Sequence, residues 1–161
     1  CRMKYGFEPD LRAEPAGSDW KKTGGDAFLS IGDEALKLRS MMKKSGYFVY
    51  DLAEVWTKWS GYPFVFAVWV VRKDFFQKKP GAVRRAHQAL LESKRWGHAH
   101  PDEIVRAASG RGIPASELSR YFSGLFYGLD SSLRRGLRHY FECALKCGLL
   151  ETMPRFEAID D

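Results

Sequence analysis

The residues best suited to holding a ligand are Ile31-Gly32-Asp33, where a short apolar run ends in a glycine turn and a helix-forming stretch begins. Glycine lets the backbone approach a ligand closely, and the first turn of a helix offers unpaired N–H groups at the positive end of the helix dipole. That combination suits an anion. Asp33 works against it, because its charge repels a carboxylate unless the carboxylate oxygen of Asp33 meets a hydroxyl instead. The plainer account is that Gly32 makes the turn and Asp33 caps the helix. The four histidines, His87, His98, His100 and His139, are scattered. Only His98 and His100 lie close together, in a Gly-His-Ala-His-Pro connection that reads as solvated, so no metal site is expected. Cys143 and Cys147 are four apart in a helical pattern, a poor geometry for a disulfide, and no second cysteine pair completes a zinc pattern. They read as small buried residues. No carboxylate pair or His-acid arrangement stands out as a catalytic set, and no catalytic residue is assigned.

The chain has material for a core, with 161 residues of which 45% are hydrophobic and 14% aromatic; this argues against disorder throughout. A net charge of +6 favours an anionic partner without choosing among nucleic acid, an acidic membrane surface and a small carboxylate or phosphate. The longest apolar run, Pro63 to Val71, is far short of the ~20 residues that cross a bilayer. A cytoplasmic protein without membrane contact is expected.

The elements that would position the turn are read from periodicity and punctuation. Residues 9–15, 26–31 and 47–50 read as short strands, and 34–39 as helix. Asp51 is a good N-cap for a helix through Leu52, Val55, Trp56 and Trp59 that ends at Gly61. Phe64 to Val71 is β-branched and aromatic without polar alternation, which predicts a strand covered on both faces. Phe64 and Phe66 share one face of it, with Trp69 on the other. From Pro80 onward apolar residues recur at three and four, and helices are predicted at about 81–96, 101–109, 115–127 and 130–148. The first half is thus α/β and the second all-α.

The phrase Gly25-Asp26-Ala27-Phe28-Leu29-Ser30-Ile31-Gly32-Asp33-Glu34-Ala35-Leu36, then Tyr50-Asp51-Leu52-Ala53-Glu54-Val55-Trp56, then Gly61-Tyr62-Pro63-Phe64-Val65-Phe66-Ala67-Val68-Trp69, closely resembles the chorismate dehydratases of the futalosine route to menaquinone. Tyr121-Phe122, Tyr127, Gly136-Leu137, Phe141 and Gly148-Leu149 resemble that family's terminal helices. Ala53 and Tyr62 depart from residues frequent in it, Gly and Leu. The resemblance implies an α/β, periplasmic-binding-protein-like (type II) fold of two lobes with a ligand cleft. Residues 1–62 would form part of the second lobe, 63–79 the return crossing, and 80–161 the C-terminal helices on the first lobe. The chain opens at Cys1 without an initiator Met, so a missing front is expected, and with it a Ser/Thr-rich turn just before Cys1.

The activity implied is a hydro-lyase that converts chorismate to 3-[(1-carboxyvinyl)oxy]benzoate with no metal or redox cofactor. Substrate-binding residues are then expected at Ile31, Gly32, Asp33, Phe64 and Phe66, although aromatics in such a strand more often pack a core. The expected partner is this small dicarboxylate, with no nucleic acid; a homodimer is left open. Three alternatives remain. The sister enzyme 1,4-dihydroxy-6-naphthoate synthase shares some of the pattern, and a solute-binding protein that only holds an anion would share the fold. The third is a DNA-binding module, because Asp102 to Ala108, Gly110-Arg111-Gly112 and Ser116 to Leu125 give helix, glycine turn, helix in a basic chain. Its recognition helix would be poor, since Leu118, Tyr121, Phe122, Leu125 and Phe126 are apolar and only Arg120 plainly suits a base edge.

Overall fold

The computed structural model describes residues 1–15, 17–155 and 157. All regular structure among them is helical: α1 (Arg2–Tyr5), a 3-10 turn (Trp20–Lys22), α2 (Gly32–Lys44), α3 (Leu52–Ser60), α4 (Lys73–Lys78), α5 (Pro80–Ala99), α6 (Pro101–Ala108), α7 (Ala115–Ser123) and α8 (Ser131–Lys146). The expected α/β, periplasmic-binding-protein-like architecture of two lobes is therefore corrected. Residues 9–15, 26–31, 47–50 and 64–71 carry no strand pairing. The reason is that β-branched and aromatic composition states what a paired strand prefers, while a strand exists only where a neighbour completes its backbone hydrogen bonds. The run expected to be covered on both faces is instead open, with Phe66 77% and Trp69 86% exposed.

The helices follow from their ends. Asp51 takes an extended conformation and its Oδ1 accepts from the N–H groups of Ala53 (3.0 Å) and Glu54 (3.3 Å) at the start of α3. At the other end Gly61, with φ +74°, donates its N–H to Thr57, the left-handed stop that favours glycine. Asp130 caps α8 in the same way, accepting from Leu133 N–H at 2.9 Å. Pro80 and Pro101 open α5 and α6, where a missing N–H costs nothing. The break expected at Gly97-His98 falls later: α5 runs through Gly97 to Ala99. One glycine costs a helix only about 1 kcal/mol, whereas Pro101 forces the residue before it out of the helical region, and His100 has φ −129° and ψ 54°.

Two compact units divide the chain. The first comprises residues 1–18, 50–67 and 129–161, and so holds α1, α3 and α8. Its core is aromatic: Trp56 meets Trp59, Phe64 and Tyr140 edge-on at ring centroid distances of 5.5, 6.0 and 5.6 Å. Such pairs are favoured by the ring quadrupole beyond their burial. Tyr62 stacks on His139 at 4.6 Å. Gly136 is buried on α8 against Pro63, so close that a side chain there would meet the Pro63 carbonyl oxygen. Cys143 and Ala144, further along the helix, are also buried, and Cys147 is half-buried.

The second unit comprises residues 19–49 and 68–128. Here α6 packs on α7, and α5 on α4 and α6. Met42, Val83, Ile113 and Leu118 are its buried apolar residues. Trp20 stacks on Phe28 at 5.2 Å and meets Tyr47 edge-on at 5.1 Å, tying the 3-10 turn to the segments on either side of α2.

Candidate ligand-binding site

The second unit carries a concave site at the start of α2. Gly32 is the first residue of that helix with φ +67°, and beyond its chain neighbours and its own helix no atom of the described residues lies within 4 Å of the position its Cβ would occupy. The left-handed conformation requires glycine here, and the open space leaves the backbone accessible. Ile31 before it is 80% exposed. Asp33 and Glu34 fill the first turn of α2, where carboxylates interact well with the helix dipole.

Asp33 is answered from the loop between α6 and α7. Arg111 Nη1 donates to Asp33 Oδ2 at 3.1 Å, with the two side chains 64% and 53% exposed. Gly110 and Gly112 on either side of Arg111 have φ +88° and +75°, a double left-handed bend that a β-substituted residue would resist. Lys37 is one turn along α2 from Asp33. Its Cε lies 3.6 Å and its Nζ 4.0 Å from where a Gly112 Cβ would stand. Two cations and one carboxylate therefore meet beside this bend.

Behind them is a cavity of about 400 Å³ lined by Asp33, Leu36, Ile104, Ala107, Ala108, Arg111, Ile113, Leu118, Tyr121 and Phe122. The walls are mostly apolar, and the volume lies within the ~300–1,000 Å³ range of small-molecule sites. An apolar hollow with a cationic rim is suited to a small ring that carries a carboxylate. A further cavity of about 380 Å³ is lined by Val70, Val71, Arg72, Asp74, Phe75 and Lys78. There the Arg72 guanidinium is committed to Asp74 through two hydrogen bonds of 3.0 and 2.6 Å, which hold the Asp74 carboxyl below its usual range. Arg111, with one bond to one oxygen, is the better placed to receive an incoming anion.

Ile31, Gly32 and Asp33 thus stand together in the second unit. Phe64 and Phe66 belong to the first, where Phe64 joins the ring cluster around Trp56 and Tyr140, and Phe66 meets Phe64 edge-on at 5.1 Å. Sequence reasoning missed Arg111, Lys37 and the cavity walls on α6 and α7. A signal for Arg111 was present in Gly110-Arg111-Gly112, a cation between two turn-forming glycines. Lys37 stands at i+4 from Asp33 and so shares its helix face. Among the described residues no group of three or more His, Cys, Asp or Glu could hold a metal ion, and no helix is long and apolar enough to cross a membrane.

Comparison with known proteins identifies the family. The profile of a family described as "Menaquinone biosynthesis" matches residues 1–146. A chorismate dehydratase of Thermus thermophilus is 30% identical over 131 residues, which take in 73% of this chain and 46% of that protein. The chain accordingly spans less than half the length of this relative. No solved structure matches. With its match running through the Ile31-Gly32-Asp33 turn, the cavity helices and α8, the chain belongs to the menaquinone-biosynthesis family.

Proposed function

We propose that the chain acts in the dehydration of chorismate, as part or all of a chorismate dehydratase. The observation that carries this reading is the 30% identity over 131 residues to a protein of that activity. The reaction removes the ring hydroxyl and the hydrogen on the neighbouring ring carbon that bears the enolpyruvyl ether. The C–O bond breaks with its electron pair going to oxygen, the C–H pair becomes the third ring double bond, and the two fragments leave as water. The product is 3-[(1-carboxyvinyl)oxy]benzoate. The balance requires neither oxidant nor reductant, so the elimination runs without a redox cofactor.

Aromatisation provides much of the driving force, which leaves the protein to orient the substrate, exclude water and assist proton transfer. On this reading the backbone at Gly32 and the first N–H groups of α2 receive a carboxylate. Ile31 flanks it, and Asp33 accepts a hydrogen bond from the ring hydroxyl. The substrate's own side-chain carboxylate is a suitable acceptor for the ring proton. The open space at Gly32 and the exposure of Ile31 support this assignment. Residence in the cytoplasm belongs to the same proposal, and the three free cysteines, Cys1, Cys143 and Cys147, suit a reducing compartment.

The test is to incubate the protein that carries this chain with chorismate and follow the products by chromatography and mass. Formation of the enolpyruvyl benzoate with loss of one water supports the proposal. Chorismate that is bound and returned unchanged leaves an anion-binding protein and removes the enzyme.

A further inference from the structure

We infer that Arg111 is the positioning residue for the carboxylate on the substrate's ring, and that Asp33 occupies its guanidinium until the substrate arrives. This rests on the reading of the site as a chorismate site. Three features of the second unit lead to it. Arg111 makes a single hydrogen bond to one oxygen of Asp33, although a guanidinium carries five N–H donors and binds a carboxylate best through a two-pronged contact. The pair is more than half exposed on both sides, and exposed ion pairs are worth little, so exchanging one carboxylate for another is cheap. The guanidinium also borders a cavity whose apolar lining, Leu36, Ile104, Ile113 and Phe122 among it, suits the ring to which that carboxylate is attached.

Charge supports the same exchange. Among the described residues Arg111 pairs with Asp33 and the Lys37 ammonium lies beside the same bend at Gly112, so a second cation stands close to an incoming anion. Once the ring carboxylate holds Arg111, Asp33 is released, and its oxygen becomes available to the ring hydroxyl one carbon away from the ether. Arg111 therefore acts on substrate position and selects for a carboxylated ring, while Asp33 changes partner.

The product is the useful probe, because it keeps both carboxylates, lacks the ring hydroxyl and undergoes no dehydration. Its binding to the protein that carries this chain is measured by calorimetry for wild type, Arg111→Gln, Arg111→Lys and Asp33→Asn. Arg111→Gln is expected to weaken binding about ten- to a hundredfold, the loss typical of a charge-assisted hydrogen bond. Arg111→Lys recovers part of this, since it restores charge without the fork. Asp33→Asn tightens binding, because it removes the competitor. Unchanged affinity in Arg111→Gln overturns the inference. So does an Asp33→Asn variant that weakens binding as much as Arg111→Gln, which would make the ion pair structural. If chorismate is turned over while Arg111→Gln leaves both KM and product affinity unchanged, this inference falls and the enzyme stands. If product binding needs Arg111 but chorismate is never dehydrated, the enzyme falls and the carboxylate site stands.

Discussion

Gly136→Ala should destabilise the first unit even though alanine is the better helix former. Gly136 lies inside α8, and a Cβ built there would stand 2.3 Å from the Pro63 carbonyl oxygen and 3.2 and 3.3 Å from Pro63 Cγ and Cδ. To reach even 3.0 Å, the helix or the Pro63 backbone must retreat by roughly 0.7 Å in a close-packed interior. The intrinsic preference for alanine over glycine contributes about 1 kcal/mol in favour of the variant. Overpacking costs about 1–3 kcal/mol. The clash wins by up to about 2 kcal/mol, because the atom in the way is backbone oxygen and cannot swing aside as a side-chain tip does. Gly97→Ala is the control. In α5, among the described residues beyond its own helix, the same substitution meets Ile104 Cδ1 at 3.9 Å, ordinary contact, so the propensity gain of up to about 1 kcal/mol should survive. The assay is urea unfolding of both variants by tryptophan fluorescence. Trp56 sits 5.6 Å from the Tyr140 ring of α8 and reports the first unit. A lower midpoint for Gly136→Ala beside a raised one for Gly97→Ala is expected. A Gly136→Ala midpoint at or above wild type would refute the packing of α8 on Pro63.

Three further outcomes are expected. Asp51→Ala should lower stability by about 1 kcal/mol through loss of the two cap bonds to Ala53 and Glu54; denaturation at neutral pH reads it, and no loss would mean that the cap is not formed. The hydrogen bonds from Arg2 hold the Glu8 carboxyl below its usual range. A lowered acid stabilises the fold above its ordinary pKa, and this contribution disappears as pH falls through the lowered value. A carbon NMR titration should show Glu8 ionising low and Arg2→Gln returning it to normal, and an ordinary midpoint in wild type would contradict the pair. Burial pushes the Cys143 thiol up, whereas Cys1 is exposed; iodoacetamide at mildly alkaline pH should therefore modify Cys1 first and Cys143 last, and equal rates would place Cys143 at the surface.

What is legible in the sequence divides along the line between local and long-range causes. The helix ends at Asp51, Gly61, Pro80, Pro101 and Asp130 are readable because each depends on one residue and its near neighbours. The segment Phe64 to Val71 misleads because its composition speaks only of preference, and pairing requires a partner elsewhere in the chain. The candidate site shows the same division. The turn at Gly32 announces itself by local geometry, since only glycine suits φ +67°. Arg111 lies 78 residues from Asp33, and nothing in either stretch states that they meet. Leu118 and Phe122 read as the apolar side of a helix, as they are, but which hollow they line is a matter of how α6, α7 and α2 pack.

Loss of water from chorismate in the presence of this protein is the most direct test of the proposed activity. Purified protein that carries the chain, mixed with chorismate and sampled over time by liquid chromatography with mass detection, should yield 3-[(1-carboxyvinyl)oxy]benzoate, one water lighter than the substrate, at a rate proportional to protein added. Spontaneous decay of chorismate in a protein-free control sets the baseline. Chorismate that disappears no faster than in that control, with none of the benzoate formed, would contradict the proposed activity.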